Sequence, residues 1–172
     1  MEENLGRNST DFVFDTSAFL SLESVNLLEQ VLNTFSITTT PSVIKELEDF
    51  AQHEDTLGNI AQRILLLVKL FRVEEHPKTL VLHYVSQTDE ELYNLTYTKN
   101  VPLITDDTKL VYHTKDKIRR AFSTIFLGIF VDAGRMTKRE ALNKLELMRD
   151  IRNWQDNIIY LSSKEELNNI KE

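Results

Sequence analysis

The chain has 172 residues, 41% of them hydrophobic and 27% charged, with only four glycines and three prolines; this excludes collagen-like and low-complexity classes and fits one globular domain with at most a small helical appendage. It contains no cysteine, so disulfide scaffolds, zinc ribbons and thiol catalysis are excluded, and its four scattered histidines leave oxygen as the donor for any bound metal. A formal net charge of −7 argues against coating nucleic acid by bulk electrostatics, though not against a local basic patch.

The opening segment MEENLGRNST, residues 1–10, reads as a flexible polar arm with neither the basic nor the apolar region of a secretory signal. The run DFVF at 11–14 has the pattern of a buried strand, and it meets Asp15, Thr16 and Ser17 at its carboxyl end. A helix is predicted next, from Ala18 or Ser24 to Leu32, then a β-branched strand, FSITTT at 35–40. Thr40 followed by Pro41 supplies a cap with proline at the first helical position, opening a helix to about His53. Leu57 to Leu70 reads as a further helix with the most apolar face in the chain, followed by a strand in FRVEE at 71–75.

Thr88 and Glu91 have the spacing of a capping box and predict a helix to about Thr98. VPLIT at 101–105 is a compact buried strand ending in Asp106 and Asp107. From Ala121 onward the pattern is mostly helical, with further capping boxes expected at Thr137 to Glu140 and Ser162 to Glu165. Strands alternating with helices at these spacings predict a three-layer α/β/α fold around a central parallel sheet, plus C-terminal helices, because parallel neighbours need a crossover of about a dozen residues or more. The expected division is the arm, a catalytic-type domain over 11–125, and a helical extension over 126–172 packed on the same body. The longest apolar runs, ILLLV at 64–68 and IFLGIFV at 125–131, are too short to cross a bilayer, so a cytoplasmic protein with no membrane partner is expected.

In open parallel sheets ligands bind beyond the carboxyl ends of the strands, where Asp15 and Asp107 fall. On the helix that follows Pro41, Val43, Leu47, Phe50 and Ala51 form the buried stripe, and Glu46 and Glu48 flank it on opposite sides equally well. Asp89 shares a stripe with Leu92, Tyr93 and Thr96 and so faces inward, where a carboxylate needs a partner. Acids brought together from these four segments repel unless a divalent cation compensates, and oxygen-only donors suit Mg²⁺ or Mn²⁺.

Taken in order, FVFDTSAF at 12–19, TTPSVIKELEDF at 39–50, SQTDEEL at 86–92 and VPLITDD at 101–107 resemble the PIN-domain family of metal-dependent nucleases, which includes toxin nucleases and RNA-processing enzymes. The resemblance implies catalytic and metal-binding acids at Asp15, Glu46, Asp89 and Asp107, Asp106 as an auxiliary ligand, and buttressing hydroxyls on Thr16, Ser17 and Thr105. It also implies an endoribonuclease that hydrolyses single-stranded RNA to leave a 5′-phosphate and a 3′-hydroxyl, with a small inhibitory protein and a homodimer as expected partners. Residues 119–150 resemble a C-terminal extension of one branch, with a short strand near Ala121 to Ser123, and depart from the smallest toxin-type members. In KLVYHTKDKIRR at 109–120, Lys109, Lys115, Lys117, Arg119 and Arg120 surround Tyr112 and His113, which suits a phosphate-tracking strip beside Asp107. Two other readings compete: a phosphatase using Asp15 as nucleophile, although Ser17 stands where that pattern wants a second Asp, and a nuclease-like module that binds RNA or protein without turnover.

Overall fold

Strands β1 (Asp11–Phe14), β2 (Ser36–Thr39), β3 (Arg72–Val73), β4 (Leu103–Ile104) and β5 (Arg120–Ala121) are all parallel and lie in the order β3-β2-β1-β4-β5. The structure is a computed structural model, and it describes residues 11–75, 81, 85–114, 117–155 and 157–170. Helices α1 (Thr16–Ser24), α2 (Leu28–Thr34), α3 (Pro41–Ala51), α4 (Thr56–Leu66), α5 (Gln87–Lys99) and α6 (Thr108–Thr114) fill the crossovers, and α7 (Ile125–Asp132), α8 (Lys138–Arg152) and α9 (Ile158–Asn169) follow β5. The three-layer α/β architecture expected from the sequence is therefore present. Chain order reverses between β1 and β4, and such a switch point opens a crevice at the carboxyl ends of the strands.

The core is built on β1. Alternate residues of a strand share a face, and Phe12 and Phe14 both meet Phe126 of α7, at ring-centroid distances of 5.3 and 5.7 Å. Phe35 closes on the same ring at 5.4 Å. Phe14, Phe19, Phe126 and Phe130 are fully buried, as are Leu145 and Met148 of α8. Helix α5 packs against β1 and β4, while α8 packs on α1, α7 and α9, so the C-terminal helices belong to the same packed core.

Several local expectations shift in the structure. The helix expected before β2 is two helices, broken where Asn26 takes a left-handed backbone with φ of 54°, a conformation that asparagine tolerates. The apolar helix stops at Leu66 and tightens into a 3₁₀ turn over Val68–Leu70. Helix α5 is capped by Ser86, whose hydroxyl accepts from the Asp89 amide while the Asp89 carboxylate returns to the Ser86 amide; Thr88 falls inside the first turn instead of capping it. The box at Thr137 and Glu140 is present. Ser162 lies within α9, which Asn157 caps, and its hydroxyl donates to the Ile158 carbonyl. The strand expected near Ala121 is formed by Arg120–Ala121.

Candidate functional site

Register builds the centre of the site. Phe14 pairs with Ile104, so the next residues, Asp15 and Thr105, emerge side by side at the carboxyl ends of β1 and β4. The Thr105 hydroxyl donates to Asp15 Oδ2 at 2.5 Å, and Ser17 Oγ lies 2.8 Å from both Asp15 oxygens. Asp15 Oδ1 also accepts from the Ala18 amide at 2.8 Å, capping α1. The same hydroxyls accept from the loop after β4: the Asp106 amide donates to Ser17 Oγ, and the Asp107 amide to Thr105 Oγ1. Backbone amides of one strand end thus fix the hydroxyls that fix the carboxylate of the other.

Three further carboxylates reach the same cleft, which has a volume of about 330 Å³ and is lined by Asp15, Glu46, Asp89 and Asp107 among others. Glu46 comes from α3 and is held by a hydrogen bond from the Thr16 hydroxyl to its Oε2. Glu48, which periodicity left equal with it, is exposed. Asp107 Oδ1 accepts from the amides of Lys109 and Leu110 at the start of α6. Asp89 arrives as the third residue of α5.

The electrostatics follow from burial. Loss of hydration pushes the Asp15 carboxyl up from an ordinary 3.8 to about 7, against the lowering effect of its donors, with the nearby Asp106 adding to the rise. Burial also raises the Asp89 carboxyl, and the charges of Asp107 and Glu46 raise it further. Asp89 therefore feels the charges of Asp107 and Glu46 across the cleft. Among the described residues no three carboxylate or imidazole groups lie close enough to chelate one ion directly. Asp107 Oδ2 and Glu46 Oε1 accept no hydrogen bond among the described residues. The donor chemistry, carboxylate oxygens alone, is of the kind that suits a hard cation such as Mg²⁺ or Mn²⁺.

Other expected site residues lie elsewhere. Asp106 is buried, raised by that burial, and occupied by Ser123, whose amide and hydroxyl donate to its two oxygens at 2.8 and 2.6 Å; it ties the end of β4 to the segment after β5 and does not line the cleft. The basic strip is split. Lys109 sits at the start of α6 beside Asp107, and Lys115 lies outside the described residues. Lys117 and Arg119 line a separate hollow with Asn100 and Val101, where Arg119 donates to the Asn100 carbonyl. Arg120 lines a third, of about 640 Å³, with Ala121, Ile125 and Glu166. A parallel crossover must return the chain to the amino-terminal edge of the sheet before β5 begins, which carries these cations away from Asp107. His53 and His113 are exposed and do not line the cleft, and His76 and His83 lie outside the described residues.

One cleft residue escaped the sequence reading. Arg152, the last residue of α8, lines the acidic cleft and is half-buried. Nothing in its own segment signals this, because its position depends on how α8 docks on α1.

The fold and cleft together define an α/β protein with a carboxylate-lined crevice at the switch point of a parallel sheet. No protein-family model matches the chain, and no curated protein matches it significantly. Among solved structures it is similar to VapBC-1 from nontypeable Haemophilus influenzae, with 17% identity, a TM-score of 0.48, and coverage of 67% of this chain and 99% of that one. Among the described residues no helix is long and apolar enough to cross a membrane.

Proposed function

We propose that this chain is a PIN-like nuclease that uses Mg²⁺ or Mn²⁺ to hydrolyse phosphodiester bonds of single-stranded RNA. The observation that supports it most is the delivery of Asp15, Glu46, Asp89 and Asp107 by four separate elements into one cleft, where the charges of Asp107 and Glu46 add to burial in raising the Asp89 carboxyl. Such an arrangement destabilises the protein unless something positive enters. A bound divalent ion would lower the pKa of a water and screen the charge of the phosphodiester.

The chain's own residues do the rest. Asp15 and Asp107 would hold the ion, Asp15 being fixed by Thr105 and Ser17 and Asp107 by its cap on α6. Glu46, held by Thr16, orients the attacking water, and Asp89 completes the anionic wall. In-line attack leaves a 5′-phosphate and a 3′-hydroxyl. A small inhibitory protein over the cleft and a homodimer through the apolar tail helices belong to the same proposal, supported by the sequence resemblance.

That no three carboxylates among the described residues lie at direct chelating distance favours a second reading, a module that binds RNA or a protein without turnover. A phosphatase is less well supported, because Ser17 stands where that pattern wants a second Asp, and the Ser17 hydroxyl is spent on Asp15 itself. The deciding experiment incubates the chain with end-labelled single-stranded RNA in Mg²⁺, Mn²⁺ or EDTA, beside Mn²⁺ binding followed by electron paramagnetic resonance. Metal-dependent cleavage abolished in Asp15→Asn and Asp107→Asn supports the nuclease. RNA retention without cleavage, unchanged by either substitution, supports the binding module.

A further inference from the structure

We infer that Arg152 is a phosphate-binding residue of the acidic cleft, contributed by the C-terminal helices and placed to grip the oxyanion of the scissile or product phosphate. The inference deepens the nuclease proposal and rests on it for the identity of the substrate. Its foundation is a guanidinium whose Nε is buried without a hydrogen bond among the described residues. Arg152 lines the cleft, its Nε is buried with no hydrogen bond, and among the described residues it makes no ion pair. A buried donor left unsatisfied costs stability, and a guanidinium is normally paired where it is shielded from water. Loss of hydration outweighs the favourable charges of Asp106 and Asp15 nearby, which compensate it only in part.

The fold fixes Arg152 there. Lys144, two turns earlier on α8, donates to the Val25 carbonyl at the far end of α1. The step from Lys144 to Arg152 covers ~12 Å at about 1.5 Å per residue, close to the length of α1, so Arg152 arrives beside the amino-terminal end that Asp15 caps. Asn153 then turns the chain with φ of 54°, and the buried Trp154 donates its amide to the Arg149 carbonyl, locking the helix end. Arg152 is the one cation among the described residues lining the acidic cleft. An anionic substrate entering a wall of carboxylates needs such a donor, and the planar fork of arginine matches two phosphate oxygens as lysine does not.

The test compares wild type, Arg152→Gln and Arg152→Lys as full chains, with inorganic phosphate as probe, measured by calorimetry with and without Mn²⁺, and RNA cleavage kinetics read separately as KM and kcat. Phosphate binding weakened at least ~10-fold in Arg152→Gln and less in Arg152→Lys is expected, with KM rising in parallel and Mn²⁺ affinity kept or improved. A wild type that fails to bind phosphate, or variants that bind it within twofold of wild type, overturns the assignment. A residue acting only in packing would lower the melting temperature of Arg152→Gln and leave phosphate affinity and KM unmoved. Should Arg152→Gln fail to fold, Arg152→Lys carries the comparison, because it retains the charge and loses the fork. Wild type that binds phosphate through Arg152 without cleaving RNA sinks the nuclease reading alone.

Discussion

Two clusters of charge in this molecule are handled in opposite ways. At the ends of β1 and β4, Asp15 is buried among hydroxyls and other acids, and its carboxyl rises to about 7. Between α8 and α9, Glu146 accepts from the Tyr160 hydroxyl and the Lys164 ammonium and pairs with Arg149 at 2.6 Å, and those partners hold its carboxyl below the usual range. The second cluster is complete, since every group in it has a partner within the chain. The first carries surplus negative charge, and the Arg152 guanidinium beside it has a buried Nε with no hydrogen bond among the described residues. Proteins tend to leave electrostatic strain where it serves function.

The strongest way to break that contrast is Asp107→Asn. Asparagine caps helices as well as aspartate does, so Oδ1 keeps the amides of Lys109 and Leu110 and the fold is preserved. The substitution removes only the charge facing the cleft. RNA cleavage at saturating Mn²⁺ is expected to fall on the order of 10³-fold, about 4 kcal/mol of barrier, with an unchanged circular dichroism spectrum. Cleavage within a few fold of wild type would mean that this carboxylate does not serve the reaction.

Next in size is the response to metal. An ion that binds only the folded state at about 100 times its Kd adds about 2.7 kcal/mol of stability. Denaturant unfolding of wild type with and without Mn²⁺ is expected to show a gain of that order, much reduced in Asp107→Asn. A Glu146→Gln variant should gain as much as wild type, because its acid is already satisfied. Equal gains in all three chains would erase the distinction between the clusters.

The strand ends of this site were legible because a short apolar run followed by an acid, in DFVFD and VPLITDD, has few other meanings in an α/β chain. The two glutamates flanking the stripe of α3 were not separable, since periodicity gives an angle about the helix and not the direction from which the neighbouring layer arrives. Nearness in sequence to Asp107 does not carry the whole basic strip into its neighbourhood: Lys109 stays beside it, while Lys117 and Arg119 line a separate hollow near the start of β5. Arg152 was invisible for the converse reason, being remote in sequence and delivered by helix docking alone. Asp106, expected as an auxiliary ligand beside Asp107, instead binds the amide and hydroxyl of Ser123, a tie between segments that its sequence position does not reveal.

A smaller effect sharpens the account of Asp15. Thr105→Val keeps the shape of the side chain and deletes the hydroxyl that bridges the Asp107 amide and Asp15 Oδ2. Stability is expected to fall by about 1–2 kcal/mol, the cost of leaving buried partners short of a hydrogen bond, and Mn²⁺ affinity should weaken as the carboxylate loses its orientation. A change in stability without any change in metal affinity would separate the hydroxyl from the function of the site.

The smallest effect belongs to the satisfied cluster. Glu146 is about one-third exposed, with side-chain accessibility of 35%, so solvent screens its pairs with Arg149 and Lys164, and Glu146→Gln is expected to cost under about 1 kcal/mol at neutral pH. The sign of its pH dependence is fixed by the lowered carboxyl: the stabilisation is present above the ordinary value of 4.5 and is lost as pH falls through the lower folded value. The difference in stability between wild type and Glu146→Gln should therefore shrink on acidification below that range, because the protonated glutamate loses the charge that binds Lys164 and Arg149. RNA cleavage and Mn²⁺ binding should remain as in wild type, since the network spans α8 and α9 and none of its members lines the acidic cleft. A gap that widened in acid would reverse the sign assigned to Glu146, and a loss of metal affinity in this variant would show that the tail helices transmit charge to the cleft as well as anchoring Arg152.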